Sequence, residues 1–321
     1  MNQAFEFTEL TVITHKKLEE YSLINKNEKI QLVPNYKIVL NNKTYSHYII
    51  NCISSNKKYF LKVFKDRDNI FQCNEYIKNF IDEFGNQKFS TILVPRFYFN
   101  EVYYYITSFV EGESINNIGE QLTKQQCQKI GNDIRKLWFE LTEINTLYYS
   151  EKGEFFNEDA ATIFKRKLKI RLTHPVFKHI SNSELYKAYC KCCEIIETCE
   201  FSKPSLIHMD VKPANIVYNS KNDLVTLIDF EHARFGDIDF GWVQILLSGY
   251  NSFGEIYEKK IYPNIINDNL NLSDALKIPK LKCYIFYQTA CNLIYYYKNN
   301  NECPYKMKEC FYSLLNEFVK E

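Results

Sequence analysis

Residues 206–242 read LIHMDVKPANIVYNSKNDLVTLIDFEHARFGDIDFGW. Three side chains in this stretch carry chemistry: Asp210, Asn215 five residues later, and Asp229 fourteen residues after that. A carboxylate can take a proton from a hydroxyl, and carboxylate and amide oxygens are the ligands that a hard cation such as Mg²⁺ prefers. Pro213, lying between Asp210 and Asn215, suits a tight loop, and the apolar run VTLI reads as a strand that delivers Asp229 at its end. Asp, Asn and Pro also cluster in ordinary turns, so any one of these residues alone signals only a turn. The order and spacing of the whole set point to a site.

The chain before this stretch changes texture once. Residues 8–23 read as an amphipathic helix, and residues 30–65 alternate Ile, Val, Tyr and Phe with polar residues, as strands do. Residues 69–84 place Ile70, Ile77, Phe80, Ile81 and Phe84 on one helical face. VPRFYFN and VYYYITSFV are two further strands. Beyond Glu111-Gly112-Glu113, helical periodicity runs through 123–142, 157–172, 183–199 and most of 273–320, with loop and short strands over 204–230. A chain of 321 residues suits two domains at roughly 150 residues each. The expected division is a β-rich lobe over residues 1–110 and a mostly helical lobe over 111–321, an α+β class. Within KKYFLKVFK, Lys62 is the one charge inside an apolar run and shares a strand face with Phe60 and Phe64. Burying such a charge unpaired would be costly.

HMDVKPAN together with LIDFE resembles the catalytic and metal-binding loops of the protein-kinase-like fold. The closer resemblance is to the aminoglycoside phosphotransferase and choline kinase group of small-molecule kinases. It implies a bilobal protein-kinase-like fold and ATP-dependent transfer of a phosphoryl group to a hydroxyl. Asp210 would be the catalytic base, Asn215 and Asp229 the Mg²⁺ ligands, and His208 a residue bracing the loop. The resemblance further implies that Lys62 binds the α- and β-phosphates and that Glu75 holds it, with Asp82 and Glu83 too far along the helix. No glycine precedes Gly85, so a Gly-rich phosphate loop is missing. The hairpin LNNKTYSHYII must cover the phosphates instead, through Thr44, Ser46 and backbone amides. YITSFVEG resembles the interlobe hinge, where main-chain groups from Ser108 to Val110 would meet the adenine edge. Lys212 is as in many protein kinases, but Glu231 replaces the glycine expected after Asp229-Phe230, and no Ala-Pro-Glu follows. Asp239, ten residues after Asp229, is expected to support the catalytic loop rather than to react, and Glu231 to join the metal site or meet a cationic substrate.

Lys plus Arg number 40 and Asp plus Glu 39, which argues against a dedicated nucleic-acid binder. The N-terminus lacks the plan of a signal peptide, and no apolar run reaches about 18 residues, so a cytoplasmic protein with reduced thiols and no membrane partner is expected. Cys190, Cys192, Cys193 and Cys199 lie in SELYKAYCKCCEIIETC. Their spacing is not that of two CxxC pairs, and they read as structural thiols on a helix. An acid-lined pocket suits polycationic aminoglycosides, and an aromatic box suits a quaternary ammonium. Trp242, Tyr250, Tyr287 and Tyr295–Tyr297 beside Glu231, Glu255 and Glu258 offer both, although the stripe QTACNLIYYYKN reads first as packing. The resulting reading is an ATP- and Mg²⁺-dependent phosphotransferase acting on a cationic small molecule, aminoglycoside-phosphotransferase-like. A choline or ethanolamine kinase, a protein kinase and a non-catalytic nucleotide-binding protein are the alternatives.

Overall fold

The computed structural model describes residues 2–40, 43–64, 89, 92–99, 102–143, 160–202, 205–230, 233–251, 253–266 and 271–320. The helix expected over 69–84 lies outside them. The chain forms two compact units: residues 1–112 with 219–231, and residues 113–218 with 232–321.

In the first unit, helix α1 (Asn2–Glu20) precedes strands β1 (Ile30–Leu40), β2 (Lys43–Cys52), β3 (Lys58–Phe64), β4 (Ile92–Phe99) and β5 (Val102–Ser108). They form an antiparallel sheet in the order β1-β2-β3-β5-β4. Proline cannot donate to a strand ladder, so it is confined to sheet edges or bulges. Pro34 lies in β1 and Pro95 in β4, the two edges, and the register slips beside each. The period-2 alternation sorts the residues by face. Leu32, Ile50, Leu61, Tyr104 and Ile106 form a buried core with Leu10 and Leu18 of α1. Lys62 points to the opposite face, with His47 of β2 and Tyr105 of β5 as its cross-strand neighbours. The helix α1 starts six residues earlier than its periodicity suggests. It ends at Glu20 because Ser22 turns left-handed, at φ 57°, and the amide of Leu23 reaches back to the Leu18 carbonyl. Strand β9 (Leu224–Leu227) belongs to this unit, and its Leu227 bridges Phe89 in parallel.

In the second unit, β6 (Glu113–Ser114) pairs with β8 (Ile216–Asn219), and β7 (Ser205–Ile207) pairs antiparallel with β10 (Arg234–Gly236). Between β6 and β7 lie α2 (Ile115–Ile118), α3 (Lys124–Glu143), α4 (Ala160–Leu172) and α5 (Asn182–Glu197). After β10 come α6 (Ile238–Ser248), α7 (Tyr262–Ile266), α8 (Leu272–Ala275), α9 (Pro279–Lys298) and α10 (Tyr305–Lys320). Periodicity alone predicts no helix over 231–272. Helix α6 is buried at eight of its eleven positions, so it is apolar nearly all round and shows no polar face to reveal it. The stripe QTACNLIYYYKN lies on α9, where Tyr287, Ala290, Leu293 and Ile294 are buried and Phe286 stacks on Phe311 of α10.

Helix α6 lies directly against β7. A Cβ added at Gly241 would sit 2.5 Å from Cγ2 of Ile207. Ile207 is β-branched and fully buried, so it cannot swing aside. Gly241→Ala is therefore expected to lower stability by about 1–3 kcal/mol in urea denaturation, as overpacking does. A loss within experimental error would refute the close approach.

Candidate active-site residues

In the first unit, Lys62 sits at the middle of β3 and is 6% exposed. Its Nζ lies 2.6 Å from Oδ1 of Asp229 and 5.9 Å from the centroid of the Tyr105 ring. Asp229 follows β9 with a left-handed backbone, φ 66°, a conformation that Asp tolerates better than most residues. The ring of Phe230, next in sequence, meets Phe89 edge-on at 5.9 Å, which helps seat the turn. The charge inside the apolar run is thus matched by a carboxylate from far along the chain. Glu75 lies outside the described residues. Thr44 and Ser46 are on β2, but their side chains are not among those described. Ser108 ends β5, and Ser108 and Val110 are both half-buried.

His47 also stands on the Lys62 face. Its ring lies 5.2 Å from that of Phe60, centroid to centroid. Burial, and then the Lys62 charge, push its imidazole down to about 4, with Asp229 opposing the shift. The ring is therefore neutral near pH 7.

In the second unit, the stretch after β7 is a tight, self-braced loop. His208 is fully buried, and its Nδ1 accepts the backbone N–H of Asp210 at 3.3 Å, the bracing expected of it. Met209 between them is left-handed, at φ 66°. For a side chain of this size that is a strained backbone, of the kind that concentrates at functional sites. Oδ2 of Asp210 accepts from Nζ of Lys212 at 2.7 Å and from Nδ2 of Asn215 at 2.9 Å. The same Nδ2 also donates to the Asp210 carbonyl at 2.9 Å. Asn215 is 5% exposed, at the end of the short turn Pro213–Asn215. From the β6 side, the Ser114 hydroxyl donates to the Pro213 carbonyl at 3.0 Å while also capping α2.

Asp239 lies in the first turn of α6. Buried Asp237 caps that helix through the Asp239 amide and accepts from Ser202, Tyr284 and Lys280 at 3.0–3.1 Å. Lys280 also pairs with Asp239 at 2.5 Å. Burial opposes the Lys280 charge, but the two carboxylates outweigh it and hold its pKa above the ordinary value. Burial and then Asp237 push the Tyr284 hydroxyl far up. This network anchors the end of β10, the strand that pairs with β7. Sequence reasoning did not foresee Lys280 or the clamp by Lys212. Lys280 follows Asp210 by seventy residues and has no motif around it.

Several of the acidic and aromatic candidates for an acceptor pocket have partners of their own. Glu255 is exposed and paired with Lys259, while Trp242 packs on Trp138 and Tyr287 on Phe164. Glu231 lies outside the described residues. Cys192 and Cys283 are buried in the helical interior, and burial raises the thiols of Cys192, Cys193 and Cys199. Among the described residues, no three His, Cys, Asp or Glu side chains converge on a metal position by themselves.

The sequence profile described as the APH phosphotransferase enzyme family matches residues 52–255, which span β3 and both loops. The chain belongs to this phosphotransferase family. No curated protein matches it at significant similarity. Solved structures with the same fold include the gentamicin complex of APH(2")-IIa, at 16% identity and TM-score 0.55, covering 96% of this chain and 95% of that one. A putative fructosamine-3-kinase from Haemophilus somnus aligns at 12% identity and TM-score 0.58, over 95% of this chain and 96% of that one. Plasmodium vivax ethanolamine kinase aligns at 12% identity and TM-score 0.52, over 94% and 85%. At these identities the likeness is one of fold. The phosphotransferase thus has the α+β protein-kinase-like fold, with a sheet-based N-terminal part and a mostly helical C-terminal part. Among its described residues, no helix is long and apolar enough to cross a membrane.

The Lys62–Asp229 pair generates a stability prediction. Removing one partner strands the other's charge, whereas removing both does not. Lys62→Met is expected to cost about 1–3 kcal/mol, below the ~3–5 kcal/mol of a fully buried pair, because the Asp229 side chain is 23% exposed. The double variant Lys62→Met/Asp229→Asn should be more stable than Lys62→Met alone in urea denaturation. The reverse order would mean that the pair does not carry the burial of Lys62.

Proposed function

We propose that this phosphotransferase moves the γ-phosphoryl group of ATP to a hydroxyl of a cationic small molecule, with Asp210 as the general base. The observation that carries the reading is the asymmetric hold on Asp210. Lys212 and Asn215 both donate to Oδ2, which fixes the carboxylate and leaves Oδ1 as the oxygen to take a proton. The acceptor oxygen attacks the γ-phosphorus as its proton passes to Asp210. The bond from phosphorus to the β,γ-bridging oxygen breaks, and ADP leaves with that electron pair. Lys62 serves to position the α- and β-phosphates, and main-chain groups from Ser108 to Val110 serve the adenine edge.

Asn215 and Asp229 are the proposed Mg²⁺ ligands, and their donor chemistry fits. The Asn215 amide commits its Nδ2 to Asp210, so its Oδ1 is the atom left for a cation, and Asp229 supplies the carboxylate that a hard cation prefers. Mg²⁺ is commonly held by one or two carboxylates plus waters and substrate phosphates, so a cage of three acidic side chains is not required. When bound, the ion supplies neutralisation of charge on the transferred phosphoryl group.

The acceptor class draws on the relatives. APH(2")-IIa has been solved with gentamicin and, in a ternary complex, with streptomycin and ATP, and both APH and ethanolamine kinase chains share this fold. The decisive experiment is a panel of aminoglycosides, choline, ethanolamine, sugars and a generic protein substrate, read as ATP-dependent mass gain. Phosphate is expected on a cationic small molecule. Transfer to protein alone would replace this reading with a protein kinase.

Two variants test the roles on the acceptor so found. Asp210→Asn should still bind MgATP but lose about 10²–10⁴ in kcat, the contribution of a positioned base. Near-native turnover would remove Asp210 from that role. Asp229→Ala should abolish the Mg²⁺ dependence of nucleotide affinity in calorimetry, and Asn215→Ala should weaken it less because a neutral amide is lost.

A further inference from the structure

The hairpin of β1 and β2 poses a problem of donors. Phosphate-covering turns in nucleotide-binding proteins use glycine to bring backbone amides close to the anion, yet residues 1–84 contain no glycine at all. Side chains must then supply part of what the backbone cannot. On the Lys62 face of the sheet, one of the described side chains of β2 is placed for it. His47 is the direct cross-strand neighbour of Lys62, and strand residues so paired hold their Cβ atoms about 4.5–5.5 Å apart. Its ring is set by the tilted contact with Phe60, two residues before Lys62 on the same face. Lys62 stands between this imidazole on β2 and the ring of Tyr105 on β5.

We infer that His47 is a further nucleotide ligand of the Lys62 face, its ring N–H donating to a phosphate oxygen beside the Lys62 ammonium. The inference rests on the reading of Lys62 as the phosphate-binding lysine. In the empty protein, burial and the Lys62 charge keep the imidazole unprotonated near pH 7, so it does not compete with Lys62 for Asp229. It retains one N–H, which is the group a phosphate oxygen accepts. A single donor of this kind complements a cation without adding a second buried charge, which would be repelled by Lys62 until an anion arrived.

Calorimetry with two probes, adenosine and MgADP, separates this role from a structural one. A phosphate ligand matters to MgADP and not to adenosine. His47→Ala is expected to weaken MgADP roughly tenfold, the scale of one hydrogen bond to a charged group, with adenosine within about twofold of wild type. His47→Gln, which returns a side-chain N–H donor, is expected to recover most of the loss, and thermal melting of both variants establishes that they are folded. Unchanged MgADP affinity in His47→Ala, or parallel weakening of adenosine and MgADP, would overturn the inference. Lys62→Met is the control for the underlying reading. If it too leaves MgADP affinity unchanged, the assignment of this face to phosphates falls and His47 falls with it. If Lys62→Met weakens MgADP while His47→Ala does not, only the His47 assignment falls.

Discussion

A lysine inside an apolar strand is the constraint around which the first unit is arranged. Taking an ammonium out of water costs several kcal/mol unless an anion meets it, and on β3 that anion is Asp229, 167 residues away in sequence. Asp229 lies in the stretch 219–231, which clusters with the N-terminal unit although the chain on both sides of it belongs to the helical unit. The pairing also sets the residue proposed to bind Mg²⁺ at a defined distance from the residue proposed to bind phosphate. Neither position could be exchanged alone without stranding a charge.

In the helical unit the corresponding constraint is steric as well as electrostatic. The loop from His208 to Asn215 satisfies its own polar groups: the buried imidazole takes the Asp210 amide, and Asn215 spans the Asp210 carboxylate and carbonyl. Closing so short a circuit requires Met209 to adopt a left-handed backbone. The strain is held because β7 enters the loop from a rigid pairing with β10, whose end is fixed by Asp237 and Lys280. Lys280 thus bears on the loop through β10 and β7. The residue supports the frame from which the loop is hung.

How much of this the sequence revealed follows from how local each signal is. The strands were legible because alternation over seven to eleven residues is a local pattern, and so was the loop, because Asp210, Pro213 and Asn215 lie within one turn of chain. Asp229 was recognisable only through the order of the larger set. Three features were hidden for physical reasons. Helix α6 lacks a polar face, so nothing in its periodicity distinguishes it from a buried strand or loop. The proximity of Lys62 to Asp229 is a tertiary fact with no trace in spacing. The neighbourhood of His47 depends on the register between β2 and β3, where a slip of one residue would move the imidazole to the opposite face. The acids and aromatics expected around an acceptor were the least legible, since the same Tyr and Trp side chains serve equally well as packing, and Tyr287 and Trp242 do serve as packing.

The prolines at the two margins of the sheet bear on how the protein behaves in company. Among the described residues, β1 and β4 are the two margins of the five-stranded sheet, and open margins invite strands from other molecules. Pro34 removes a donor from one margin and Pro95 from the other, and the register slips beside them break each margin into short lengths. Along these described margins a neighbouring chain therefore meets an interrupted ladder. At the high local concentrations of a newly synthesised or partly unfolded population, this favours refolding over edge-to-edge association.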